Sequence, residues 1–225
     1  MAIHTDRVYE NELQALRHKI TTMGELVARM LEDAIYAFSQ NDMDRARRTA
    51  AADLEVDKLE LEVDEMCLTL LARRQPVASD LRFITATMKM VTDLERVGDL
   101  TANIAERLTE LDGVDVPGRF SILEIARTTQ EMLTTALRAY RMRDADLAQA
   151  VLARDNAVDN AYAALFPELM DHMMRDSSQV FAAQRAQSIA KYLERIADHA
   201  TNIVESVTFI VNGRDVRHQP PPSEE

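Results

Sequence analysis

The chain has 225 residues, enough for one large domain or two small ones with a sizeable core. Its 38 acidic and 26 basic side chains give a formal net charge of −12, which disfavours a general nucleic-acid binder because the phosphate backbone would be repelled. Only 5 glycines and 6 prolines occur and aromatic residues make up 5%, a composition that argues against a β-sandwich or barrel and favours helices.

Six long helices are predicted from the placement of the few helix breakers. They span residues 7–40, 42–74, 79–111, 119–142, 144–176 and 179–211. The strongest boundary is the segment LDGVDVPG at residues 111–118, which holds two glycines and a proline. The connections are short, so consecutive helices should run antiparallel, and the predicted fold class is all-α.

The two halves of the chain repeat. Residues 93–106 read DLERVGDLTANIAE, and residues 192–205 read YLERIADHATNIVE, at an offset of 99. Upstream, DLEVD at 53–57 matches DNAVD at 155–159, at an offset of 102. Two copies at so long a period indicate a duplicated domain. We therefore predict two tandem three-helix bundles, at residues 1–112 and 113–213, followed by a disordered tail at 214–225.

Acidic side chains recur on one stripe of each repeated helix. At 100° per residue, Glu95, Asp99 and Glu106 fall within about 40° of one another, opposite the apolar residues. Like charges four residues apart repel, and a shared cation would remove that repulsion. Carboxylate oxygens suit magnesium, calcium, manganese or iron, whereas zinc prefers nitrogen or sulfur ligands but can also be bound by carboxylates.

The predicted metal ligands are Asp53, Asp57, Glu95, Asp99, Asp155, Asp159, Glu194 and Asp198. Candidate accessory ligands are Asn103, Glu106, Asn202, Glu205 and His199. A solvated helix face without metal is the other interpretation of these stripes.

The doubled ER-x-x-D-x-x-x-NI-x-E pattern, the four acidic pairs and the ending SVTFIVNG resemble the PhoU family of phosphate-transport accessory and regulatory proteins. The resemblance covers about residues 5–213. It implies that the acidic pairs hold surface metal clusters, with iron, zinc, manganese or magnesium as candidates. The second half lacks further acids after Asp159, where Tyr162 and Phe166 follow at helical spacing, so a weaker second site is expected.

The resemblance also implies a negative regulator of phosphate uptake and of the phosphate-starvation response. Its implied partners are the ATPase subunit of a phosphate ABC importer, a phosphate-responsive sensor histidine kinase and a second copy in a homodimer. No nucleic-acid partner is expected, and the membrane would be reached only through partners. The first residues lack an apolar signal region and no apolar run approaches ~20 residues, so the expected compartment is the cytoplasm.

No enzymatic activity is expected, because the chain has no G-x-S-x-G motif and no phosphate-cradling glycine-rich loop. Its one cysteine, Cys67, lies among apolar neighbours and should pack as a small hydrophobic residue. The alternative function is a carboxylate-bridged metal oxidase or metal store. The absence of a Glu-x-x-His motif speaks against that alternative.

Overall fold

The structure, a computed structural model, describes the backbone of residues 2–213 and the side chains of residues 7–213. The described range is helical without strands, which confirms the all-α prediction. The helices are α1 (Ala2–Gln40), α2 (Met43–Ala51), α3 (Asp53–Arg74), α4 (Ala78–Thr109), α5 (Arg119–Met142), α6 (Ala145–Leu152), α7 (Asp155–Arg175) and α8 (Val180–Asn212), with a 3₁₀ turn at Ser177–Gln179 before α8. The predicted tail at 214–225 lies outside the described residues.

The second and fifth predicted helices are each split in two by a short break. The first break is at Ala52, whose backbone N–H donates to the carbonyls of Arg48 and Thr49, the tightened bonding of a helix end. The second break, at residues 153–154, is equivalent in the repeat. Each break makes an aspartate, Asp53 or Asp155, the first residue of the helix that follows.

The turns that precede the short helices are also equivalent in the two halves. Asp42 accepts the backbone N–H of Arg45 and caps α2, and Asp144 caps α6 in the same way. Just before each cap, Asn41 and Arg143 adopt left-handed backbone conformations, with φ of 59° and 53°. The duplication is therefore preserved down to single turns.

In each half the last helix is central, and the three preceding helices pack around it. In the first half α4 contacts α1, α2 and α3, and in the second half α8 contacts α5, α6 and α7. The halves meet mainly along α4 and α8, and α1 also packs against α5. At the α1–α5 contact a Cβ on Gly24 would lie 2.6 Å from Leu137 Cδ2, so a larger residue there would force the Leu137 side chain to shift.

The buried side chains of both halves form one continuous hydrophobic cluster. It includes the predicted apolar faces of α4 and α8, such as Val97 and Ile196, both fully buried. The division into bundles at residues 112 and 113 stays a prediction. Cys67 is buried, and burial raises the pKa of its thiol to about 12, as expected for a packing residue. None of the described helices is long and apolar enough to cross a membrane.

Candidate metal centre

Two groups of carboxylates lie at equivalent places on the two halves. The first cluster joins α3 and α4 and consists of Asp53, Asp57, Glu60, Glu95, Asp99 and Glu106. The second cluster joins α7 and α8 and consists of Asp155, Asp159, Glu194 and Asp198. All eight predicted ligands therefore fall into two groups, and none of them is fully buried.

The carboxylates of the first cluster are close enough to perturb one another. Partial burial raises the pKa of Asp53 to about 6, and the charges of Asp57, Asp99 and Glu106 add to the rise. The pKa of Glu95 is also raised, chiefly by burial, against the opposing charge of the neighbouring arginine. A cation bound among these crowded carboxylates would stabilise their ionised forms and lower their pKa values.

The second cluster also contains carboxylates with raised pKa values. Asp198 lies at the solvent-exposed edge of this cluster, where its carboxylate is still partly desolvated. This desolvation, followed by the charges of Glu194, Asp155 and Asp159, raises the pKa of Asp198 to about 6. The pKa of Asp155 is raised as well, first by burial and then by Asp159 and Glu194. Of the positions that are equivalent in the repeat, Asp53 and Asp155 both have a pKa raised by burial and by neighbouring acids.

One carboxylate oxygen in each cluster is buried and faces a cationic side chain of its own helix. These atoms are Oε2 of Glu95 and Oε2 of Glu194, which occupy equivalent positions. Among the described residues, Arg96 Nε lies 3.3 Å from the first oxygen and Lys191 Nζ lies 2.6 Å from the second. Carboxylate oxygens are the donors that hard cations prefer, so the chemistry of both clusters fits such an ion, although in the second cluster it would compete with Lys191 for Glu194.

The clusters are not closed cages. Among the described residues, no three acidic, histidine or cysteine side chains surround a single point in a way that could hold an ion. Ion binding would therefore require carboxylates to rotate inward from the positions they occupy in the structure. The clusters are acid-lined surfaces between paired helices.

Both halves match the same family model. The model, described as the PhoU domain, covers residues 20–108 and again residues 122–207. The chain belongs to the PhoU family. The resemblance seen in the sequence motifs is thereby confirmed, and each matched range contains one of the two carboxylate clusters.

Relatives in the PhoU family are similar over nearly their whole length. A homologue from Caulobacter vibrioides is 38% identical over 98% of this chain and 97% of its own length. The proteins from Pseudomonas aeruginosa and Escherichia coli K12 are 37% and 35% identical, each over 96% of this chain and 90% of the relative. All three are named phosphate-specific transport system accessory proteins or homologues of them.

Two crystal structures from the PhoU family share the fold. That of PhoU from Pseudomonas aeruginosa has a TM-score of 0.89 at 36% identity and covers 92% of this chain and 100% of its own. That of the phosphate transport system regulatory protein PhoU from Streptococcus pneumoniae has a TM-score of 0.84 at 27% identity, with coverage of 92% and 99%.

Within this PhoU fold the two clusters differ in the basic side chains beside their acids. In the second cluster Lys191 Nζ lies 2.7 Å from Oε1 and 2.6 Å from Oε2 of Glu194, and it sits 5.4 Å from the ring centre of Tyr162. In the first half the equivalent positions hold Thr92 and Glu60. At these two positions the second cluster has a tyrosine in place of an acid and a lysine in place of a threonine, and a weaker second site stays a prediction.

The clusters also differ in how closely their helices approach. A Cβ added to Gly98 would lie 3.0 Å from Asp53 Oδ1 and 3.0 Å from Val56 Cγ1. The equivalent residue in the second half is Ala197, which carries that Cβ. Gly98 thus allows the carboxylate of Asp53 to rest directly on the backbone of α4.

Two candidate accessory ligands lie in a different contact. His199 Nδ1 is 2.9 Å from Asp93 Oδ1, and Asn202 Nδ2 donates to the same oxygen at 3.0 Å. These bonds link α8 to α4 and so join the two halves. Sequence reasoning did not single out Asp93, although the repeat differs at this position, where the second half has Tyr192.

The other three candidate accessory ligands have different surroundings. Glu106 belongs to the first cluster, where its charge acts on Asp53. The side-chain amide of Asn103 donates to the backbone carbonyl of Asp99 at 2.7 Å, one turn earlier on α4. Glu205 is half-buried on α8.

Proposed function

We propose that this protein is an accessory and regulatory protein of phosphate transport that represses phosphate uptake and the phosphate-starvation response. Membership of the PhoU family across both repeats supports this, as do the names of the relatives that match nearly end to end. The observation that carries the finer proposal is the presence of two equivalent, electrostatically strained carboxylate clusters.

Metal ions are the proposed ligands of both clusters. The first would be held by Asp53, Asp57, Glu95 and Asp99, and the second by Asp155, Asp159, Glu194 and Asp198. Iron, manganese, magnesium and zinc are the candidates that carboxylate oxygens favour or tolerate. A bound cation would cancel the mutual repulsion of the acids and tie α3 to α4, or α7 to α8.

The proposed action is that of an adaptor between the ATPase subunit of a phosphate ABC importer and a phosphate-responsive sensor histidine kinase. An exposed apolar stripe on α3 supports an adaptor role. Leu54, Leu61 and Leu68 recur every seven residues and are 68%, 69% and 58% exposed. Such a stripe suits a helix of a partner or of a second copy of the chain.

A deletion strain carrying a phosphate-starvation reporter tests the proposal. In phosphate-rich medium the deletion should switch the reporter on, and the wild-type gene should switch it off again. The double variant Glu95→Gln/Asp99→Asn should fail to do so. The matched control is Asp112→Asn/Asp115→Asn, which removes two exposed charges from the α4–α5 connection.

The outcomes separate the two levels of the proposal. A silent reporter in the deletion strain would overturn the regulatory function. An active reporter that the Glu95/Asp99 variant represses as well as the wild type does would overturn the requirement for the first cluster, while leaving the regulatory function in place.

A further inference from the structure

A cavity with an apolar floor and a basic rim lies between α1, α4 and the last turns of α5 and α8. Its volume is about 220 Å³, and no residue of either carboxylate cluster lines it. The apolar lining comes from Phe83, Tyr140, Val207, Ile210 and Val211. The polar lining comes from Arg17, His18, Thr21, Arg141 and Arg143.

The charge of this cavity is opposite to that of the protein as a whole. Of the residues that the structure describes, three arginines and a histidine line it and no acidic residue does, in a chain with a net charge of −12. The guanidinium of Arg17 stacks over the ring of Phe83, 4.8 Å from its centre, and contacts Glu10 at 3.5 Å. Its Nε–H is buried and has no hydrogen-bond acceptor within the described part of the chain, so this donor is available to a ligand.

Tyr140 adds a second donor without a partner. The side chain is nine-tenths buried, and its hydroxyl makes no hydrogen bond among the described residues. Burial raises the pKa of this phenol above its ordinary value, against the opposing charges of Arg17 and Arg143, so the hydroxyl stays protonated. A buried hydroxyl without a partner is costly, and an acidic ligand would accept its hydrogen.

Arg143 stands at the rim in a backbone conformation that arginine does not favour. Its φ of 53° ends α5, at the position where the first half uses Asn41 with a φ of 59°. Asparagine tolerates this left-handed region better than most residues. At the position of Asn41 in the first half, the second half therefore has an arginine, and its guanidinium lies at the mouth of the cavity.

We propose that this cavity binds a small organic anion, with a carboxylate or phosphate-monoester head at the arginines and an apolar, ring-sized body on Phe83 and Val207. An apolar cavity of about 150 Å³ already accommodates benzene, so the volume here is sufficient for a ring and a head group. An adjoining groove of about 190 Å³ between α1 and α5, which shares Thr21, Tyr140 and Arg141, gives room for a longer body.

Calorimetric titration of the full-length protein tests this site. Phenyl phosphate and phenylacetate are the probes, with inorganic phosphate as the head alone and benzyl alcohol as the body alone. EDTA is present throughout, so that metal in the clusters cannot bind the phosphate. At least one of the two probes should bind more tightly than either part alone.

The variant Arg143→Asn copies the first half, removing the guanidinium while relieving the backbone. We expect it to fold and to bind the probe about three- to tenfold more weakly, as loss of a charge-assisted contact predicts. The matched control is Arg127→Gln, an exposed arginine on the same helix that lies outside the cavity, which should bind as the wild type does.

A second variant, Tyr140→Phe, separates binding from folding. It should raise the melting temperature of the unliganded protein, because the partnerless hydroxyl is gone, yet weaken binding of the probe. The proposal is overturned if neither probe binds at millimolar concentration, if inorganic phosphate alone binds as tightly, or if Arg143→Asn and the wild type have equal affinity.

Discussion

Replacing Asp53 by asparagine should stabilise the protein when no metal is bound. The carboxylate rests against Gly98 and is half-buried among other acids, and its pKa is raised from an ordinary value of 3.8 to about 6. Asparagine has nearly the same shape and carries no charge, so it fits the same space. The variant removes the repulsion without opening a cavity.

The size of the effect follows from the pKa. A rise of about 2 corresponds to about 3 kcal/mol of unfavourable ionisation in the folded state. Because Asp53 is only half-buried, solvent screening reduces the expected gain to about 1–1.5 kcal/mol at neutral pH. For a chain of this length that is a rise of about 2–5 °C in melting temperature.

The pH dependence gives a sharper test. The folded state holds the Asp53 proton more tightly than the unfolded state, so the free energy of unfolding falls as the pH rises from about 4 to about 6 and is level for this group outside that window. Urea unfolding in EDTA should show this decline in the wild type and a smaller decline in Asp53→Asn. Some decline should remain, because the pKa of Asp198 is raised to about 6 in the same way.

The control is Asp112→Asn, an exposed aspartate in the α4–α5 connection, which should leave both stability and its pH profile unchanged. If Asp53→Asn is no more stable than the wild type at pH 7.5 in EDTA, or if its pH profile is the same, the carboxylates are not strained in the way proposed.

Four further predictions concern the clusters and the contact between the halves. Manganese in excess should raise the melting temperature by mass action, and an unchanged melting curve would contradict metal binding. The double variant Glu95→Ala/Asp99→Ala should remove most of the part of this rise that comes from the first cluster. Lys191→Thr, which copies the first half, should enlarge the manganese response, and an equal or smaller shift would show that the lysine does not compete. Asp93→Ala should cost about 1–3 kcal/mol in urea unfolding, since two polar side chains on α8 lose their acceptor, and a smaller loss would mean that water replaces it. A fragment of residues 1–112 should remain helical by circular dichroism, whereas a molten fragment would indicate one inseparable six-helix core.

The acid stripes were predictable because their pattern is local. Glu95 and Asp99 lie one turn apart, so helical periodicity alone places them on one face, and the repeat points to the matching pairs. The breaks before Asp53 and Asp155 were not predictable in this way. Neither break contains glycine or proline, and the bonding that ends each short helix gives no signal in composition.

Contacts between distant parts of the chain account for the rest. His199 was expected near the metal-face acids because of its neighbour in sequence, but it lies against Asp93, 106 residues away. The basic cavity likewise brings together Arg17, Tyr140 and Val207, each unremarkable on its own helix. Periodicity describes one helix at a time and does not report which helices meet.

The bonds from Asp93 to His199 and Asn202 have a consequence for the ancestry of the fold. Immediately after duplication the two halves would have been identical, and either could have paired with a copy of itself. In the present chain, pairing two first halves would set Asp93 opposite Leu100, the residue that stands where the second half has His199. Asn103 would still stand where Asn202 does, but the carboxylate would face a leucine, which offers no donor in place of the histidine. The divergence at this one contact therefore favours pairing of a first half with a second half over pairing of two first halves.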